Sequence, residues 1–384
     1  MTQLESAETG TFAPPSKEFP YQQFIDRQDI PVYRSEIGIA DVTTLPRAPW
    51  PRTGGNAAFL ELKGTFQSER GVYIGDVPPG GQLREIHHLY EEEIFVLKGA
   101  GAVEVWQGSG EHITLEIARG SVFAFPPNTS HALCNTSSIE PLVYMAVNNA
   151  PRIINAVYDE TIVFASDHQF VDIYASDGNY FLQPDKKTVF GWYKQGMLET
   201  RFIPDARALA LDAHEQKVAG GKLTGYRMGP RFPHGHISAW PTGIYHKAHY
   251  HGPGAVLLGL DGEGYVLAWP TSLGSHPYAT GHGDEVRKVE WGENSIYVPP
   301  NAYFHQHFNT GPEPARHVAV YGETLPLGVH SLQDESGWKG HLSYREGGTL
   351  LEYEDEDAQV RSDYEAALAA RGLKSTMPAV TYRD

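Results

Sequence analysis

An internal repeat constrains this chain more than any other feature. Residues 92–106 read EEIFVLKGAGAVEVW and residues 255–269 read AVLLGLDGEGYVLAW. Gly99 falls on Gly262, Gly101 on Gly264 and Trp106 on Trp269, at a constant offset of 163 with no gap. Each copy is an apolar strand, a Gly-x-Gly turn and a second strand ending in Trp, which is a hairpin signature. A second pair follows. Residues 120–135 (GSVFAFPPNTSHALCN) and 292–309 (GENSIYVPPNAYFHQHFN) both run from Gly through Pro-Pro-Asn to a His and then an Asn. His131 matches His305 and Asn135 matches Asn309 at an offset of 174, so the second copy has gained 11 residues. The Gly- and His-rich stretch PTSLGSHPYATGHG after Trp269 is the predicted loop that absorbs most of them.

The chain has 384 residues, which favours two or more domains over one. Its 40 glycines and 27 prolines suit short strands joined by tight turns better than long helices. The repeat therefore predicts an all-β protein with two β-rich units in tandem. Residues 1–55 read as an N-terminal arm, 56–150 as the first unit, 151–205 as a linker, 206–325 as the second unit and 326–384 as a C-terminal extension. The extension carries one predicted helix, with Val360, Tyr364, Ala367 and Leu368 at helical spacing and Gly372 as its C-terminal stop. Barrels of open sheets have edges that need cover. The arm is rich in aromatic and β-branched residues, among them Phe19, Tyr21, Phe24, Ile30 and Tyr33. It is expected to cover a sheet edge, in its own chain or in a homodimer partner.

A formal charge of -17 with no basic cluster argues against nucleic acid as a partner. Cys134 is the single cysteine, so no internal disulfide forms, in keeping with a reducing cytoplasm. The N-terminus lacks both a basic patch and an apolar run, and no stretch approaches a membrane span. These features predict a soluble cytoplasmic protein without a membrane partner.

The motifs resemble those of the cupin superfamily. The family's first motif is Gly, five residues, His-x-His, three or four residues, Glu, six residues, Gly. Its second is Gly, five residues, Pro-x-Gly, two residues, His, three residues, Asn. Gly243, His249, His251, Gly262, His305 and Asn309 fit in the second half, with Ala255 where the family has glutamate. Gly80, His88, Glu92, Gly99, Gly120, Pro126, His131 and Asn135 fit in the first half, with Ile86 where the family has its first histidine. The resemblance implies a bicupin: two double-stranded β-helix (jelly-roll) barrels, each with a site for a divalent metal.

Strand alternation gives an independent check. Residues two apart share a face, so His249 and His251 point the same way. Glu92 shares a face with Ile94 and Val96, and a carboxylate inside a barrel needs a metal or a paired cation. Arg84, on the same face, is the alternative partner. The resemblance makes His249, His251 and His305 the expected metal ligands of the second barrel. His88, Glu92 and His131 are those of the first, a 2-His-1-carboxylate set of the kind associated with non-haem iron. His307 shares the face of His305, and Tyr245 and Lys247 share that of His249. His307 and Tyr245 are candidate substrate-contacting residues, and Glu92 is a candidate base. His246 is expected to face outward, and His234 and His236 to lie in a turn before the motif.

Three imidazoles with open positions suit Fe(II), although Mn, Zn, Ni and Cu also accept imidazole. The leading functional expectation is a mononuclear Fe(II) dioxygenase acting on a small aromatic or carbonyl-containing molecule, with dioxygen as co-substrate. A redox-neutral metal-dependent hydrolase, lyase or isomerase is the second, and a non-catalytic ligand-binding bicupin the third.

Overall fold

The computed structural model describes residues 16–174, 180–182, 186–190, 195–229, 233–252, 255–321 and 342–383. Two β-barrels of jelly-roll type lie in tandem, each made of a large and a small sheet. In the first barrel the large sheet runs, in spatial order, Val32–Ser35, Asn56–Leu62, Gly71–Val77, Leu142–Asn148, Glu92–Lys98, Val122–Phe125 and Phe202–Ile203. The small sheet is Ser130–Asn135, Ala100–Trp106 and Ile113–Ala118. In the second barrel, Lys222–Arg227, His234–Trp240, Ala315–Val320, Val256–Asp261 and Ile296–Tyr297 face a small sheet of Arg287–Trp291, Gly264–Pro270 and Tyr303–Asn309.

The apolar runs of the large sheets are continuous because both faces are covered. Leu142–Asn148 is buried at every residue. Its Leu142, Tyr144 and Ala146 join the interior of the first barrel with Ile94, Val103 and Phe123. Its Val143, Met145 and Val147 face the other way, into an apolar layer shared with Tyr226, Ile237, Leu258 and Val318 of the second half. Each such side chain contributes on the order of 1.5–3 kcal/mol, so the layer joins the barrels firmly. The repeated turn glycines Gly99 and Gly262 both adopt φ +84. A Cβ at either would also come within 2.8 Å of backbone atoms of Pro141 or Ala315.

The arm covers edges in its own chain. Its helix Pro20–Arg27, started by a proline suited to that position, buries Tyr21, Phe24 and Ile25 against the first barrel. Val32–Ser35 then pairs in parallel with Asn56–Leu62, and Gly38–Ile39 pairs with Ile296–Tyr297 of the second barrel. Residues 1–15 of the arm lie outside the described residues. The stretch expected to be a plain linker contains the helices Ala150–Val157 and Glu160–Ala165, and Phe202–Ile203 adds to the first barrel's sheet. The C-terminal helix spans Ala358–Ala370, capped by the Asp357 side chain on Gln359 N at 3.1 Å. Val360, Tyr364 and Leu368 are buried against the second barrel, and Gly372 follows at φ +71.

Candidate metal centres

Both sites are built by the same irregular strand. In the second barrel Tyr245 bridges to Phe308 and His249 to His305. Four steps along one strand oppose three along the other, which is a β-bulge, and a bulge flips the side chains that follow it. The first barrel repeats it: Gln82 bridges to Cys134 and Ile86 to His131. The bulge sets the family's first ligand position, Ile86 or His249, directly opposite the histidine of the second motif. The Pro-x-Gly glycine of the family is replaced by Asn128 and Ala302, and both keep its left-handed conformation at φ +58.

The sequence-predicted ligands come together in two sets. His249, His251 and His305 bring one ligand atom each within 4.8 Å of the others, as do His88, Glu92 and His131. The orientation of the rings tests whether a metal fits. Nδ1 of His88 lies 2.8 Å from Tyr90 O, that of His131 3.1 Å from Thr129 O, that of His249 3.3 Å from Lys247 O, that of His251 3.3 Å from Gly252 O and that of His305 3.2 Å from Tyr303 O. A backbone carbonyl accepts only from N–H, so the geometry assigns the proton to Nδ1 and the lone pair to Nε2 in all five. Burial holds His131, His249 and His305 well below the usual imidazole pKa, with neighbouring charges adding to the effect. They are neutral imidazoles, as metal ligands must be. His88 Nε2 is buried without a hydrogen-bond partner. Both sets fit a divalent transition metal.

In the first barrel Glu92 accepts from Tyr73 Oη at 3.1 Å and Asn148 Nδ2 at 3.0 Å, and lies 3.7 Å from His88 Nε2. Arg84 is not its partner, contrary to the alternative drawn from strand parity. Its guanidinium donates to Pro51 O at 2.6 Å on the surface. Ile86 removes the third imidazole, and the cavity beside the set measures only about 10 Å³.

The second set opens on a larger cavity of about 60 Å³. Eight histidines line it: His214, His236, His246, His249, His251, His305, His307 and His317. Lys217 and Lys222 join them, and no Asp or Glu does among the described residues. Lys217 is half-buried as a residue, but its ammonium lies inside, 2.8 Å from His249 Nε2. Burial brings its pKa down to about 8. His307 lines this cavity, as its parity with His305 predicts.

Tyr245 does not. Its ring stacks on Phe308 beneath the C-terminal helix and its hydroxyl donates to Glu356. Lys247 also points away, to Glu352 at 2.5 Å. The bulge is the reason: it puts Tyr245 and His249 on opposite faces and turns His246 inward, where outward was expected. His236 lies in the strand His234–Trp240, not in a turn, and reaches the cavity with His317 from the neighbouring strand. Sequence reasoning missed His236, His246, His317 and Lys217. Alternation along HGHISAW could have found His236. Nothing in the sequence marks Lys217.

Residues 73–148 match the family model of the cupin domain. The first barrel is a cupin domain, and the chain as a whole has the bicupin fold. A probable oxalate decarboxylase of Arthroderma benhamiae is 28% identical over 116 residues, which span 29% of this bicupin and only 28% of that relative's length. Among solved structures, an oxalate decarboxylase of Bacillus subtilis with Mn(II) centres aligns with a TM-score of 0.47 at 12% identity, covering 75% of this chain and 77% of that one. The vicilin of hazelnut, Corylus avellana, aligns with a TM-score of 0.44 at 11% identity over 74% of this chain and 84% of that one. Among the described residues no helix is long and apolar enough to cross a membrane.

Proposed function

We propose that this bicupin is a metal-dependent enzyme whose reaction takes place in the second barrel, as a mononuclear Fe(II) dioxygenase of a small aromatic or carbonyl-containing molecule. The observation that carries this reading is the donor set itself. Three imidazoles, and no carboxylate among the described residues, converge beside a cavity of about 60 Å³. When bound there, the metal supplies open coordination positions for substrate and dioxygen.

The chain's own residues do the rest. His249, His251 and His305 would hold the metal through Nε2, the nitrogen left free by their Nδ1 contacts. Their Nδ1–H bonds to backbone carbonyls fix each ring, so the centre is preorganised. His246 and His307 face the cavity as neutral groups, kept so by burial and by the neighbouring His317, and can orient polar atoms of the substrate by hydrogen bonds. The apolar wall made by Val218, Leu257 and Ala319 excludes water.

A second reading is favoured by the partial match to a probable oxalate decarboxylase: redox-neutral loss of carbon dioxide from a small carboxylate, with Mn(II) as the metal. One experiment separates the two. Protein reconstituted with Fe(II) or Mn(II) is offered small aromatic and carbonyl-bearing acids, and oxygen uptake and carbon dioxide release are followed with and without air. Oxygen uptake that is stoichiometric with product and needs Fe(II) supports the dioxygenase. Carbon dioxide release from the Mn(II) form without stoichiometric oxygen uptake replaces it with the lyase.

A further inference from the structure

Lys217 has no place in either reading so far, and its position is unusual. In the first barrel the residue that completes the donor set is a carboxylate, Glu92. In the second, Ala255 stands at that point of the motif and a lysine ammonium enters the same cavity. The contact it makes is with a ligand atom: Lys217 Nζ lies 2.8 Å from His249 Nε2. His249 Nδ1 is turned to Lys247 O at 3.3 Å. Nε2 therefore has one lone pair, and a metal and the lysine cannot both use it. A metal that takes His249 must release the ammonium into the cavity. There it meets imidazoles and no carboxylate among the described residues, beside a doubly charged ion that repels it.

The same cavity holds polar groups still lacking partners. Both ring nitrogens of His246, Nδ1 of His307 and Oγ of Ser238 are buried without hydrogen bonds among the described residues. His246 and His307 are 6% and 3% exposed. Buried polar atoms of this kind call for a ligand or water.

We infer that the second barrel binds its metal and an organic carboxylate as a mutually dependent pair, with Lys217 as the counter-charge of the carboxylate. The inference rests on the metal centre proposed above and names the substrate class of that site. The released ammonium needs an anion, and the metal's charge favours the same anion. Each ligand therefore raises the affinity of the other, by equal factors. In the absence of the carboxylate, Lys217 competes for His249 and weakens the metal. The second barrel is thus built to hold metal loosely until substrate arrives, whereas the first carries its negative charge within the chain.

The test is equilibrium binding of Mn(II) to the full chain, read from the signal of free Mn(II), with sodium acetate or with sodium perchlorate at matched ionic strength. The second-barrel component is the part missing from His305→Ala. Acetate should tighten that component at least tenfold in the unmodified protein. Lys217→Met should bind Mn(II) without acetate and gain less than twofold from it. Lys217→Arg keeps the charge and should keep the acetate effect. If Lys217→Met does not fold, the unmodified chain and Lys217→Arg still decide the point. A His305-dependent component of equal affinity in both salts overturns the coupling and leaves the metal centre standing. No His305-dependent component in either salt, with Mn(II) or with Co(II) or Zn(II) in its place, overturns the metal centre as well.

Discussion

Tyr73, Leu83, Leu133 and Tyr144 line the first barrel. His236, His246, His307 and His317 line the second. These are corresponding places in the two copies. Leu83 and His246 stand at the 163-residue offset, and Leu133 and His307 at the 174-residue offset. Tyr73 pairs with Ala146 as His236 pairs with Ala319, and Tyr144 and His317 lie two residues before those partners. One backbone therefore presents apolar and phenolic groups in one barrel and imidazoles in the other. The cavity grows from about 10 to about 60 Å³. In the first barrel Glu92 already has Tyr73 and Asn148 as donors. In the second, several buried nitrogens have none among the described residues. A site whose polar groups are satisfied by the chain suits a structural or tightly held ion. One whose groups are left open suits a ligand that comes and goes.

The strongest way to break this comparison is to delete a ligand from each side. His305→Ala removes one of three donors and should lower turnover by at least a hundredfold, with loss of the second-barrel metal. Glu92→Gln keeps the shape and removes the charge. It should weaken first-barrel metal by about 10–100-fold, with a much smaller change in turnover. Metal content and steady-state rates of the two variants decide the matter. If Glu92→Gln abolishes turnover and His305→Ala retains it, the first barrel is the working one.

The architecture was legible because it depends on local rules repeated twice. The Gly-x-Gly hairpins, the paired motifs and the C-terminal helix all follow from periodicity and turn chemistry, and they lie where those rules put them. Alternation also served for His249 and His251, and motif spacing for His305, which the fold brings beside them. It failed at Tyr245 and His246, because a bulge inserts one residue into the count and leaves no mark in the sequence. It failed again for Lys217, which comes from outside the motif strands. Pairing across strands decides which side chains share a cavity, and sequence distance does not record it.

The outer faces of the barrels sharpen the comparison at the level of stability. Val256 faces the apolar layer between the barrels. Glu93, at the corresponding point of the first barrel, is fully buried there beside Tyr226. Burial raises its pKa to about 8. The folded state thus holds a proton that the unfolded state has already lost above its ordinary carboxyl pKa. The favourable contribution is complete below pH 4.5 and is lost as pH rises through about 8. Glu356, raised to about 7 by burial, acts in the same sense. Glu93→Gln should remove part of this slope. Between pH 5 and pH 8.5, denaturant unfolding of the unmodified chain should lose on the order of 4 kcal/mol more than the variant does. Parallel curves for the two proteins would show that Glu93 keeps its charge in the fold.

The smallest effect expected comes from giving the second barrel the wall of the first. His246→Leu and His307→Leu place the first barrel's leucines at matching positions in the cavity, without touching His249, His251 or His305. The side chains are close in volume, so the barrel should fold. Stability should stay level or rise slightly, since each change removes buried nitrogens that lack partners at a typical cost of about 1–3 kcal/mol. Metal content should be unchanged. The loss should appear in substrate binding, because hydrogen bonds from the wall to the substrate disappear. A bond worth about 0.5–1.5 kcal/mol predicts a KM raised roughly three- to tenfold for each variant, with kcat changed less. If KM stays constant and kcat falls instead, the imidazoles act on the reacting atoms and the wall belongs to the chemistry. If neither moves, the substrate does not reach that depth, and the cavity's open nitrogens are satisfied by water.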